Sequence, residues 1–167
     1  MEKIDGFDLK ILTVLQKDGS LSQRELADRV GLSQNACWRR LQRLQASGVI
    51  RGSSITIDME AVGLDLTVFV MIRTRHHSKQ WADVFRAHVE RLPEVVGFYR
   101  IGGDWDYLLK VIANGMPGYD AFYQKLITDF DFASVQGVFC MEPILENRAV
   151  NLVQMEREGV LSAKASR

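Results

Sequence analysis

The chain has 167 residues, 47% of them hydrophobic and 25% charged, with 21 basic and 21 acidic residues and zero net charge. This composition excludes a disordered or fibrous chain, and the length is enough to bury a core without disulfide or metal staples. The longest apolar runs are about seven residues, far short of the ~20 that span a bilayer. No basic-then-apolar leader opens the chain, so a cytoplasmic protein and no membrane partner are expected. The two cysteines, Cys37 and Cys140, form no CxxC and support neither a disulfide framework nor a zinc knuckle.

Ile11, Leu12 and Leu15 are spaced for an amphipathic helix that starts near Asp5 and breaks at Asp18-Gly19. Ser22-Gln23-Arg24-Glu25 has the form of a capping box, in which the Ser22 hydroxyl and the Glu25 carboxylate satisfy free backbone N–H groups. It opens a short helix with Leu26, Ala27 and Val30 on its apolar side. Gly31 suits a left-handed helix end and Ser33 the next N-cap, so a third helix is expected from Gln34 to about Ala46. A short helix, a glycine turn and a second helix make the helix-turn-helix plan. Cys37, Leu41 and Leu44 share one stripe and should face the core. Gln34, Asn35, Trp38, Arg39, Gln42 and Arg43 are left outward or flanking. Val49-Ile50 and Ser54 to Ile57 read as short strands around Arg51-Gly52, a small wing.

Charge is concentrated in this region. Between Ser20 and Gly52, six arginines (Arg24, Arg29, Arg39, Arg40, Arg43 and Arg51) stand against Glu25 and Asp28, and no acid lies between Ser33 and Arg51. On charge alone, a footprint for a polyanion and a solvated helix face weigh equally. The residue types add chemistry, because Gln and Asn can pair with adenine and Arg with guanine or phosphate.

After Gly63 the pattern changes. Leu66 to Thr74, Val95 to Ile101, Tyr107 to Ala113 and Val135 to Met141 read as strands. Trp81, Phe85, Val89 and Leu92 mark one helix, and Tyr119, Phe122, Tyr123, Leu126, Ile127 and Phe130 a second. The order βαββαβ predicts a ferredoxin-like sandwich, so the chain is classed as α+β: an N-terminal winged helix-turn-helix followed by this domain. The expected division is 1–62, 63–146 and a polar, loose or helical tail at 147–167 ending Lys164-Ala165-Ser166-Arg167. Apolar residues on both alternations of Val68 to Ile72 predict that the sheet face away from the helices is also buried, in a dimer.

This architecture resembles the Lrp/AsnC family of transcription regulators. The likeness is carried by Ile4 to Leu12, by Leu32-Ser33 through Arg40-Leu41-Gln42-Arg43-Leu44, by Gly48-Val49-Ile50 and by Gly103-Asp104-Trp105-Asp106-Tyr107. Cys37-Trp38 departs from the family's more usual aliphatic at the first of these positions. Within the family the chain is similar to the cysteine-responsive subgroup, through Cys37-Trp38, His76-His77-Ser78 with Trp81, Pro93-Glu94-Val95 with Gly97-Phe98, and Tyr119-Asp120 with Phe122-Tyr123. The resemblance implies a homodimer, commonly a higher oligomer such as an octamer, on pseudo-palindromic double-stranded DNA. DNA contacts are expected from Ser22, Ser33, Gln34, Asn35, Trp38, Arg39, Arg40, Gln42, Arg43 and Arg51. It further implies a small amino acid bound between neighbouring C-terminal domains as effector, L-cysteine by the subgroup likeness with leucine or another small apolar amino acid as the alternative, and no other cofactor. The turn at Gly102, Gly103, Asp104, Trp105 and Asp106, with Arg100 and Tyr107, supplies N–H donors and carboxylates for such a ligand. Asp106 is assigned the ammonium and Arg100 or free N–H groups the carboxylate.

The plainer readings stand beside these. Gly102-Gly103-Asp104 suits an ordinary hairpin turn. His76 and His77 are adjacent on extended chain, point apart and lack a third ligand, which favours surface or interface histidines over a metal site. Cys37 and Cys140 are read as small apolar side chains. No nucleophile–base pair stands out, so no catalytic residue is assigned. The alternatives to a regulator are an architectural DNA-organising protein without a ligand and an enzyme similar to sirohaem decarboxylases.

Overall fold

A computed structural model describes residues 4–161. The chain divides into two compact units, one built from the chain up to Thr56 and from Leu145 onward, the other from Ile57–Ile144.

The first unit contains α1 (Gly6–Lys17), α2 (Gln23–Val30), α3 (Gln34–Ala46) and, from the returning chain, α6 (Leu152–Arg157). Each of the first three helices starts at a side-chain cap. Asp5 accepts from the Phe7 and Asp8 N–H groups while Asp8 reaches back to the Asp5 N–H, a capping box made of two aspartates. Ser22 and Glu25 form the expected box on α2, and Ser33 caps α3 by accepting from Ala36 N–H at 3.3 Å. Gly31 ends α2 at φ 72°, a left-handed conformation that glycine adopts without a Cβ clash. Ile11, Leu26, Ala27, Val30, Cys37 and Leu44 form the core, with Leu41 partly buried against it. The strands expected around Arg51-Gly52 do not form: residues 51–58 make no ladder, and Ile55 is exposed. A lone two-stranded hairpin is marginal in water, and this segment has no third strand or helix of its own to pack on.

The second unit is the ferredoxin-like sandwich. Strands β1 (Leu66–Thr74), β2 (Val95–Arg100), β3 (Tyr107–Ala113) and β4 (Phe132–Phe139) form one antiparallel sheet in the order β2-β3-β1-β4. Helices α4 (Lys79–Val89) and α5 (Gly115–Ile127) supply the rest of the core. Register places Val68 opposite Val111, Val70 opposite Leu109 and Ile72 opposite Tyr107. These alternate residues are buried with Phe85, Val89, Phe122 and Leu126. β4 runs from Phe132 to Phe139 rather than from Val135 to Met141, because Phe132 pairs with Thr74 across an irregularity in the ladder. At Gly137 a Cβ would collide with the Tyr119 hydroxyl of α5, so glycine there permits close packing of strand and helix. On the intervening positions, Phe69, Met71 and Leu108 are only half-buried, and Tyr99 and Val138 are exposed.

The tail is helical over Leu152–Arg157; its end, Lys164 to Arg167, lies outside the described residues.

Candidate nucleic-acid interface and effector turn

On α3, the cap at Ser33 and the buried stripe of Cys37 and Leu44 fix which side faces out. Gln34, Trp38 and Gln42 recur every fourth residue on the exposed side, with Asn35 and Arg39 beside them. Trp38 is 46% exposed, unusual for so large an apolar side chain without a partner. Arg39 is exposed and forms no ion pair among the described residues. Ser22 is occupied as a cap, and Arg51 is exposed on the coil that follows α3.

Arg40 and Arg43 are placed differently from the other arginines. Arg40 Nη1 donates to Asp5 Oδ1 and Oδ2 at 2.8 and 2.7 Å and to Asp8 Oδ1 at 2.8 Å, while Arg43 Nη2 donates to Asp8 Oδ2. Asp8 is wholly buried beneath them. Desolvation works to raise the Asp5 carboxyl, but the Arg40 hydrogen bond and the Asp8 and Phe7 N–H groups outweigh it and hold Asp5 below its ordinary value. The same bonds, with Asp5 first, push Arg40 up. The sequence reading missed Asp5 and Asp8 as partners. The available signal was two carboxylates three residues apart at the start of a helix, across the core from an acid-free arginine stretch.

In the second unit, the turn between β2 and β3 is held at its base. Ile101 N–H donates to Asp106 O, and Asp106 N–H to Ile72 O, each at 2.9 Å. Asp106 Oδ2 accepts from Thr74 N–H at 2.8 Å, so this carboxylate also fastens the turn to the end of β1. Its other oxygen, Oδ1, faces His77 Nδ1 at 3.9 Å. Gly102, Gly103 and Asp104 are exposed above this anchor. Gly103 needs its glycine for a φ of 108°, whereas a side chain at Gly102 would meet open space. Arg100 is exposed at the end of β2, and Trp105 is half-buried. Tyr107 opens β3 directly after the turn. It is buried in the core and packs with Trp81, Phe85 and Phe98. Thr74 and His77 were not foreseen here, because strand register brings them to the turn from residues far away in sequence. No group of three or more metal-ligating side chains occurs among the described residues.

The comparisons bear on both units. Residues 4–51 match the model for winged helix-turn-helix DNA-binding, and residues 67–150 that for the Lrp/AsnC ligand binding domain. The chain is 44% identical to the glutamate uptake regulatory protein of Zymomonas mobilis, over 86% of this chain and 88% of that one. It is 42% identical to the DNA-binding transcriptional activator DecR of Escherichia coli, over 84% and 93%.

The chain belongs to the Lrp/AsnC family.

Solved structures agree. An AsnC family transcriptional regulator from Agrobacterium tumefaciens has a TM-score of 0.82 at 44% identity, covering 85% of this chain and 93% of that one. The L-Met complex of a transcriptional regulator from Neisseria meningitidis has a TM-score of 0.83 at 32% identity, covering 89% and 96%. This Lrp/AsnC protein is therefore a DNA-binding transcriptional regulator with a domain for amino-acid ligands. Its curated relatives are named as regulators and not as enzymes, which sets the decarboxylase alternative aside. None of the described helices is long and apolar enough to cross a membrane.

Proposed function

We propose that this regulator reads a pseudo-palindromic DNA site with the outer face of α3 and changes its DNA affinity or assembly when a small amino acid binds at the Gly102–Asp106 turn. The observation that carries the DNA half is the sorting of side chains on α3. Gln34, Asn35, Trp38, Arg39 and Gln42 stand exposed, while Arg40 and Arg43 are spent on Asp5 and Asp8. Amides and a free guanidinium on one helix face suit base edges in a major groove, with Ser33, Arg51 and the helix N-terminus on phosphates. In this reading residues 1–62 serve DNA and 63–146 serve ligand and assembly, in the cytoplasm where the DNA is.

For the effector, the exposed N–H groups around Gly102 and Gly103 suit a carboxylate, with Arg100 as its cation. Asp106 Oδ2 is occupied by Thr74, so the ammonium goes to Oδ1, beside His77, or to Asp104. A free turn of this kind is half a site, and a neighbouring copy supplies the rest. Phe69, Met71, Leu108, Tyr99 and Val138 give the open sheet face the apolar character that a twofold dimer buries, with octamers as the further step. L-cysteine is the proposed effector on the subgroup likeness. The relative named for glutamate uptake and the neighbour holding L-Met set the competing amino acids.

Thermal unfolding of the full chain in each of the twenty amino acids tests the reading. A ligand at 100 times its dissociation constant stabilises by about 2.7 kcal/mol. We expect reduced L-cysteine to give the largest shift and Asp106→Ala to abolish it. A larger shift with L-glutamate or L-methionine would replace the ligand, and no shift with any amino acid would favour an architectural DNA-organising protein.

A further inference from the structure

The last described helix, α6, lies with the DNA-binding unit although the chain reaches it from the end of β4 in the other unit. Its attachment to α1 is specific. The Gln16 carboxamide engages the Val150 backbone at both ends: Nε2 donates to Val150 O at 3.2 Å, and Oε1 accepts from Val150 N–H at 3.1 Å. This is the pairing that a neighbouring strand would offer. One turn further on, Val153 lines a groove with Lys10, Thr13, Val14, Arg29 and Gly31. Leu152, Val153 and Met155 are half-buried, while Asn151, Gln154 and Glu156 are exposed. A helix of six residues does not sustain itself in water, so α6 is held by α1 rather than by its own propensity.

The helix that receives α6 is also the one that grips the recognition helix. α1 begins at Asp5 and Asp8, whose carboxylates hold Arg40 and Arg43 of α3. A continuous set of contacts therefore runs from Val150 and Val153 through α1 to α3, all inside one unit. The chain also crosses between the units twice, once near Thr56 and once near Leu145, so the segment before α6 is a second covalent link to the ligand-binding unit.

We infer that residues 150–157 are a positioning segment of the DNA-reading head. They steady α1 and, through the Asp8 clasp, set the placement of α3, so that DNA affinity depends on side chains at the far end of the chain. The inference rests on the α3 reading face proposed above.

The test uses full-length Val153→Asp and the milder Gln16→Ala, with Val153→Leu as the conservative control. Amide exchange is read in α1, α3 and the sheet, and affinity is read on DNA from the protein's own upstream region. Val153→Asp should speed exchange in α1 and α3 by about tenfold, leave β1 and β3 unchanged and weaken DNA binding several-fold. Gln16→Ala should move the same quantities less, and Val153→Leu should restore wild-type behaviour. Unchanged exchange in α1 and α3 overturns the inference. Faster exchange in α1 with unchanged α3 and unchanged DNA affinity also overturns it, because the segment would then be a brace only. A wild-type chain that binds no DNA contradicts the reading face, and the α3 exchange still decides the role of the segment.

Discussion

Asp8, wholly buried in the first turn of α1, accepts from Arg40 of α3 at 2.8 Å and uses its second oxygen for Arg43. One carboxylate thereby engages two of the three arginines of α3, while Arg39 stands exposed with no ion pair among the described residues. The clasp also orients the helix, since two guanidinium groups on successive turns are pinned to a single point.

Removing that point should be costly. Asp8→Ala takes the buried carboxylate from Arg43 and leaves Arg40 on Asp5 alone, and losing charged hydrogen bonds of this kind costs about 1–3 kcal/mol. Urea unfolding measures it. A change within ~0.5 kcal/mol, as at an ordinary surface position, would show that the pair contributes little.

The clasp also predicts an acid limb. The folded Asp5 carboxyl lies below its ordinary value, so its contribution is complete above the unfolded value near 3.9 and is lost as the pH falls through the lower folded value. Helix α1 should loosen in acid before the sheet does, as read by amide exchange, and Asp5→Asn should flatten this part of the pH profile. A chain in which α1 and the sheet loosen together would argue against it.

How much of this was legible in the sequence differed by element. Ser22 with Glu25, Gly31 and Ser33 announced their caps, because capping chemistry is local. The β1 strand was equally plain from its β-branched run. The Arg40–Asp8 and Asp106–Thr74 pairings were not legible, since each depends on how two distant segments come together. Charge counting groups Arg40 and Arg43 with the DNA-facing residues and gives no sign that both are also tied to α1. The burial of Tyr107 has a related cause: strand alternation turns it into the core while Asp106 stays at the rim. The wing strands failed because β-branched residues such as Ile55 and Ile57 mark strand character but do not supply a partner strand.

Cys37 should be chemically quiet. Burial pushes its thiol up, which lowers the thiolate fraction at neutral pH. Alkylation followed by peptide mass mapping should label it only when the helical unit unfolds. Labelling at the rate of a free thiol in the folded chain would contradict its place in the core.

The assembly proposed above uses the open sheet face. Wild type should sediment well above its 19.0 kDa chain mass, and Tyr99→Asp, at an exposed edge of that face, should shift the population toward monomer without unfolding it. A wild-type monomer at micromolar concentration would remove the basis for a shared effector site.

The most direct measurement is fluorescence anisotropy on DNA from the protein's own upstream region, comparing wild type, Arg39→Ala and a combined Gln34, Asn35 and Arg39 alanine variant with native unfolding behaviour. Arg39→Ala should cost about 1–3 kcal/mol of binding and relax sequence preference at one position of each half-site. The combined variant should keep only salt-sensitive, sequence-independent binding. If it binds the same DNA as tightly and as selectively as wild type, the exposed face of α3 is not what reads the operator.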